Sequence, residues 1–366
     1  MRVIVTGAGI AGLSTAWALA GEGHEVVLLD QGPIPNPLSA SADQHRIIRR
    51  AYAGQDGYAR AISEAFSAWD ALWADLGAAH YANTGVIAVS QHAGDEADRY
   101  RAGLERMGTP FVRLAPATAA SDYPFLDPAT FAYAIRMEEG GVLFSARIAH
   151  ALAGWLAAAG AELRPYTRVT GLDADGAAVV TASGQRITGD AVVVTVGAWV
   201  TDLLPDLAPT LTPWRTAVAY LEPPPDLAAA WAGAPAILDV GGAVDGYVLP
   251  PVQGTGLKVG AGIHKVKARA DERRAPEPGE GQRLRDCFAP PFARIDEYRV
   301  AEVVTCAYTF TRDEHFFAAR RGRAWIVSAC SGHGYKFGPA VGRRLARAVE
   351  TGDADGLVRW IEARGG

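Results

Sequence analysis

The sequence predicts an α/β chain. A discontinuous Rossmann-like nucleotide-binding domain carries an inserted α+β domain built on a mixed, largely antiparallel sheet. Three observations predict this. An apolar run at residues 3–5 leads into Gly7-x-Gly9-x-x-Gly12 and a helix. Asp30 closes the next apolar run, at residues 25–29. Further nucleotide-domain features recur in the middle and near the end of the 366 residues, separated by strand-rich stretches of another character. A chain of this length can hold one large core or two domains sharing a surface.

Taken in order, residues 3–5 read as a buried strand, 7–12 as a turn, 13–21 as a helix and 25–29 as a second strand. Together they make a βαβ unit. Residues 33–44 are rich in Pro, Ser and Ala and read as a loop, whereas 58–76 place Ile62, Phe66, Trp69 and Trp73 at helical spacing. Residues 84–89 read as a strand leaving the nucleotide domain, 114–123 as a loop with a short helix, and 141–144 as a strand or turn. Ser145 is placed to cap a helix running to Gly160. A hairpin is expected at 178–181 and 186–187 around Ser183-Gly184, then a buried strand at 190–194 leading to Gly197-Ala198-Trp199.

From Pro213 the character changes. Residues 216–221, 247–250 and 257–260 read as strands. The Pro- and Ala-rich stretch 223–235 reads as exposed, and the charged stretch 268–285, helical toward its end, as lying outside the core. Residues 325–329 make a final strand and 341–350 a closing helix. The expected domains are therefore 1–85, 142–210 and 300–366 for the nucleotide, and 86–141 and 211–299 for the substrate.

Composition narrows the function. Apolar residues make up 49% of the chain, which excludes global disorder. The net charge is −5 with no basic block, which argues against a nucleic-acid partner. Cys287, Cys306 and Cys330 have neither CxxC nor metal-type spacing, and the eight histidines form no HExxH. No metal is expected, and the cysteine usage fits a reducing compartment. The chain starts directly on a strand and has no apolar run of about 18 residues, so neither a secretory signal nor a membrane span is expected, and the cytoplasm is the default.

The glycines have separate tasks. Gly7 permits a tight turn, Gly9 lets backbone approach a pyrophosphate, and Gly12 lets helix meet strand. Ile10 and Ala11, within this turn, are further cofactor-contact candidates, and the N-terminus of the helix that follows faces the phosphates with free amides. Asp30 is placed for a ribose hydroxyl, and Val169, Gly197 and Trp199 are further contact candidates, though Trp199 would serve equally as a core aromatic. Read alone, Cys306 is a buried inert thiol, Arg49 and Arg46 are ion-pairing residues, and Lys336 faces solvent. Gly256 and Gly260 around Lys258 favour close approach to something.

Order and context change those readings. Gly7-Ala8-Gly9-Ile10-Ala11-Gly12, Arg46-Ile47-Ile48-Arg49, Gly256-Leu257-Lys258, Cys306-Ala307-Tyr308-Thr309 with Asp313-Glu314-His315-Phe316, and Ser331-Gly332-His333-Gly334-Tyr335-Lys336-Phe337 succeed one another along the chain. Together they resemble the monomeric sarcosine oxidase and N-methyl amino acid oxidase branch of the D-amino-acid-oxidase-like flavoproteins, over the whole length.

The resemblance implies FAD, bonded through a Cys306 thioether to the flavin 8α-methyl. It implies a carboxylate clamp of Arg49 and Lys336, oxygen activation by Lys258, and a fixed cation, Arg46, near the flavin ring. Gly332, His333 and Gly334 would stand at the flavin edge, with Tyr247 and Tyr308 as pocket hydroxyls. His45 stands where relatives more often have threonine, and could be a pocket acid or base or simply a bulkier neighbour. His264 matches an active-site histidine, but the spacer after Lys258 is two residues longer, a displacement of about 6.6 Å along a strand, which a bulge could partly absorb. The activity implied is hydride transfer from an N-methyl amino acid such as sarcosine to flavin N5, imine hydrolysis, and reoxidation by O2 giving H2O2, in a monomer. The alternatives are an oxidase or dehydrogenase of a cyclic or bulkier secondary amino acid or a specialised-pathway amine, and, remotely, a noncatalytic dinucleotide-binding module.

Overall fold

The computed structural model describes residues 1–328 and 330–364, which include two large sheets. The first has six strands in the order Phe317–Arg321, Ala324–Ser328, Ala191–Val194, Arg2–Thr6, Glu25–Leu29, Glu162–Arg164. Every neighbouring pair is parallel except the first. Its central strands are unbroken Val, Ile and Leu runs because both faces are covered. The helices Ile10–Gly21, Asp56–Leu76, Ser145–Ala158 and Gly338–Thr351 bury Leu13, Trp69, Leu152 and Leu345 in one core on one face. Ala329, the expected end of the last strand, lies outside the described residues.

The second sheet is mixed and largely antiparallel. Its order is Val266–Lys267, Thr212–Glu222, Leu257–Ala261, Gly246–Leu249, Ala236–Asp239, Val86–Ser90, Tyr133–Met137, Val112–Leu114. A twelve-residue strand, Arg299–Phe310, pairs with Thr212–Glu222 as well, placing Cys306 opposite Thr216. This strand starts one residue before the expected boundary at 300 and lies in the second sheet along its length. Leu257–Ala261 carries Lys258 opposite Tyr220.

Several local expectations are corrected. The first helix begins at Ile10, three residues earlier than the apolar spacing suggested. Ser145 does not cap its helix: Phe144 holds that position, and the Ser145 hydroxyl donates instead to the Asp43 carbonyl at 2.7 Å. The stretch 223–235 is not simply exposed, because Trp231 is fully buried and stacks on Phe125 at 3.7 Å. The stretch 268–285 is mostly exposed, as expected, but Ala270, Glu280, Gly281 and Leu284 are buried. Arg215, 1% exposed, reaches Glu280, 4% exposed, and their mutual neutralisation lets charged residues enter the interior. Sequence reading also missed the strand Arg46–Arg49, which pairs with Gly140–Leu143, and the helices Glu96–Met107 and Ala354–Glu362.

Candidate active site

A cavity of about 1550 Å³, counted with its open mouth, lies at the carboxyl ends of the parallel strands, where Thr6, Leu29, Thr195 and Ser328 line it. Open α/β sheets bind ligands at this edge. Gly7 sits at φ +92°, and a Cβ there would fall 2.5 Å from the Thr195 carbonyl oxygen. A Cβ on Gly12 would fall 1.8 Å from the Gly7 carbonyl oxygen, so only glycine lets the helix dock on the turn. Asp30 accepts from the Ala8 amide (2.8 Å), the Gly32 amide (2.8 Å) and Asn36 Nδ2 (2.7 Å), and it lines the cavity.

Gly9, Ile10, Ala11, Val169, Gly197, Trp199, Tyr308 and Gly334 line the same cavity. This cradle, an anion-accepting helix start with an acidic residue one strand away, fits FAD.

Next to it lies a charged cluster that the fold assembles from three places. Lys258, 1% exposed, donates to Asp43 Oδ2 at 2.6 Å and to the His45 carbonyl at 2.8 Å. Arg46 donates to Asp43 Oδ2 at 3.1 Å and to the carbonyls of His45 (2.9 Å) and Ala40 (2.8 Å). Tyr220 donates to Asp43 Oδ1. Burial pushes the Asp43 carboxyl up, but Lys258 and Arg46 outweigh it and hold the group below the usual carboxylate range. Burial, reinforced by Arg46 and opposed by Asp43, brings the Lys258 ammonium down to about 8. His45 is fully buried, stacks on Tyr220 at 6.1 Å, and is pushed by burial and then Lys258 to about 3. Burial thus favours its uncharged ring.

A second cluster contains two buried cations over one ring. The Arg49 guanidinium lies 4.1 Å, and Lys336 Nζ 5.8 Å, from the centre of Tyr52. Arg49 is 6% and Lys336 3% exposed. Arg49 donates to the Ala51 carbonyl while its Nε is buried without a partner, and Lys336 donates to the His333 carbonyl at 2.7 Å. Burial first, then Arg49, holds Lys336 well below the usual lysine range. Neither cation forms an ion pair among the described residues.

Other candidates divide. Cys306 lies within electrostatic reach of Arg46, Lys258, Asp43 and Cys330, and burial pushes its thiol up against the pull of the two cations. Tyr247 is in reach of Arg46 and Cys306. A Cβ on Gly332 would fall 3.5 Å from the Phe310 ring and 3.7 Å from the Tyr308 ring. His333 is caged by Tyr52, Tyr58 and Phe316, and burial holds it well below the usual histidine range.

His264 is separated from the cluster. The strand ends at Ala261, a 3-10 turn follows, and the His264 ring meets Cys287 Sγ at 3.1 Å. The two extra residues therefore left the strand altogether. Cys330, read from sequence as packing, lines the cavity. Asp43, Tyr220 and Tyr52 escaped sequence reading. Asp43 sits in a loop of ordinary turn residues, at φ +95°, and only the pairing of Tyr220 with Lys258 brings its partners together.

Comparison with known proteins agrees with this geometry. Residues 2–348 match the family model described as FAD dependent oxidoreductase. Monomeric sarcosine oxidase of Bacillus sp. (strain NS-129) is 28% identical over 96% of this chain and 94% of its own. Human peroxisomal sarcosine oxidase is 27% identical over 93% and 90%. The crystal structure of L-proline dehydrogenase from P. horikoshii superposes with a TM-score of 0.83 at 20% identity, covering 99% of this chain and 96% of that one, which shows a shared fold. With a family match over nearly its whole length, this chain belongs to the FAD dependent oxidoreductases.

Proposed function

We propose that the chain is an FAD-dependent oxidase of a secondary amino acid, with an N-methyl amino acid such as sarcosine as its leading substrate. The Arg49–Lys336 pair carries the reading. Two like charges buried together without an anion are costly, and a substrate carboxylate relieves both. Arg49 can meet it through its unused Nε, and Lys336 through its remaining donors. The sarcosine oxidase relatives support the same chemistry.

Bound in this cradle, FAD would supply the acceptor for a hydride from the carbon attached to nitrogen and the route of those electrons to O2, giving H2O2. The chain supplies the rest. Arg49 and Lys336 fix the carboxylate end, so the carbon–nitrogen bond is presented in one orientation. The Lys258 ammonium, held by Asp43, stabilises negative charge as O2 is reduced. Arg46 supplies a second fixed positive charge. The amine must shed its proton in the pocket before it can release a hydride. Cys306 is the proposed tether for the cofactor.

A bulkier or cyclic secondary amino acid is the second reading. The removal of His264 from the Lys258 strand favours it, because the substrate side loses an imidazole. A substrate panel mixed anaerobically with the flavoprotein decides. Fast bleaching by sarcosine supports the first reading. Bleaching only by proline, pipecolate or larger amines supports the second.

A further inference from the structure

The strand Leu257–Ala261 has two unlike faces. Leu257, Val259 and Ala261 point into the apolar core around Trp231. Side chains alternate along a strand, so Lys258, Gly260 and Gly262, the last just past the strand end, share the other face. Tyr220 pairs with Lys258 and Cys306 with Thr216, which puts the charged cluster and the proposed tether on that same face. The two glycines make room there. A Cβ on Gly260 would fall 2.6 Å from the Tyr247 ring, and a Cβ on Gly262 would fall 1.7 Å from Asp245 Oδ2. Tyr247 pairs with Gly260, and the Gly262 amide donates to the Asp245 carbonyl at 2.9 Å. Lys258, the Tyr247 ring and the Asp245 carboxylate therefore form a row on one face of the sheet.

Asp245 is an anion with little to hold it. Neither carboxylate oxygen accepts a hydrogen bond among the described residues, and its one ion pair there, with Lys265, is long at 3.8 Å. The side chain is 68% exposed, so a solute can reach it. It is recessed all the same: desolvation pushes the carboxyl up to about 6 against the pull of Lys265, which leaves it ionised at neutral pH. The cation pair stands nearby. Arg49 lies between Tyr52 and Tyr100, 4.1 and 5.3 Å from their ring centres. Tyr100 and Tyr247 pack against one apolar cluster that includes Leu238 and Leu249.

We propose that Asp245 binds the ammonium of the substrate, so that the pocket takes a zwitterion: the carboxylate on Arg49 and Lys336, the cationic nitrogen on Asp245. This rests on the carboxylate clamp proposed above. A charge-assisted hydrogen bond from the ammonium supplies the partner that the Asp245 carboxylate lacks. The amine must lose a proton before it reacts. That proton passes from nitrogen to the carboxylate oxygen beside it, an N–H bond breaking and an O–H bond forming, and then to solvent, to which the side chain is open.

The test compares ligands that differ only at the charged nitrogen. Sarcosine and methoxyacetate share a carboxylate, but an ether oxygen replaces the ammonium in the second. Proline and tetrahydro-2-furoate are the corresponding cyclic pair. With the flavoprotein free of oxygen, half-saturation is read from flavin reduction for the amino acid and from the shift of the flavin band for the ether acid. Asp245→Asn keeps a residue that tolerates the left-handed backbone at φ +49°. It is expected to weaken the amino acid at least about tenfold, the contribution of one charge-assisted hydrogen bond, and to leave the ether acid almost unchanged. Gly262→Ala, which displaces the carboxylate, should show the same selective loss. Arg49→Met should weaken both ligands. Equal losses for the two ligands in Asp245→Asn, or no loss, would overturn the proposal and leave the clamp standing. If wild type binds neither pair, the clamp falls, and this inference with it.

Discussion

Lys258 Nζ lies 2.6 Å from Asp43 Oδ2, although 215 residues separate them, and both side chains are almost fully buried. Asp43 is the charge on which the cluster depends. It accepts from Lys258, Arg46 and Tyr220 together, which leaves a net positive site beside the cofactor cradle. An ammonium poised at about 8 is charged at neutral pH yet sensitive to any loss of that carboxylate.

The oxygen half-reaction should follow this pair. Lys258 carries its charge below about 8 and loses it as the pH rises through that value. Reoxidation of the reduced enzyme is therefore expected to slow above pH 8. Asp43→Asn removes the partner that raises the lysine, so the midpoint should move to lower pH. Lys258→Met should slow reoxidation while leaving anaerobic reduction comparatively intact. Stopped-flow traces of both half-reactions check this. A Lys258→Met enzyme reoxidising at the wild-type rate would remove the role.

Substrate binding should depend on the other cation pair. A charge-assisted hydrogen bond contributes roughly 1.5–3 kcal/mol, or about 10- to 150-fold in affinity. Arg49→Met or Lys336→Met is expected to raise the substrate concentration for half-maximal anaerobic reduction by that factor. Reoxidation should change little. An unchanged half-saturation would mean the carboxylate binds elsewhere.

The contrast between these two clusters shows what a sequence makes legible. The nucleotide cradle could be read because its parts are local: Gly7 to Asp30 form one βαβ unit, and each glycine's task follows from its place in the turn. Arg49 and Lys336 could be named because they stand in recognisable strings. Asp43 could not, since its importance exists only where a loop, the strand of Lys258 and the strand of Tyr220 converge. His264 shows the opposite failure. Strand periodicity kept it on the face of Lys258, but the strand ended before it. Within the mostly exposed stretch 268–285, the burial of Glu280 was illegible because its neutralising partner lies 65 residues away.

That buried pair makes a stability prediction. Glu280→Ala would leave the Arg215 guanidinium buried and unpaired, at a cost of about 3–5 kcal/mol. Denaturant unfolding should show a midpoint lowered by that free energy divided by the slope, with the slope nearly constant. Replacing both partners with apolar residues of similar volume should recover much of the loss. A Glu280→Ala protein as stable as wild type would show that Arg215 finds another partner.

The two thiols near the cavity should differ. Acid-denatured wild type is expected to keep its yellow colour, Cys306→Ala to release the flavin into the supernatant, and Cys330→Ala to keep it. Mass spectrometry of the flavin-bearing peptide gives the same answer. Covalent flavin persisting in Cys306→Ala would move the tether to another residue, with Cys330 the first to examine because it lines the cavity.

The most direct test of the whole account is a two-step titration of the purified flavoprotein. Sarcosine is added without oxygen while the flavin band near roughly 450 nm is followed, and air is then admitted with H2O2 and formaldehyde measured. The account predicts complete bleaching by a secondary amino acid, rapid return of the band in air, and one H2O2 for each flavin reoxidised. A flavin that no secondary amino acid bleaches would contradict the amine-oxidising reading, and a reduced flavin that survives air would contradict the oxidase.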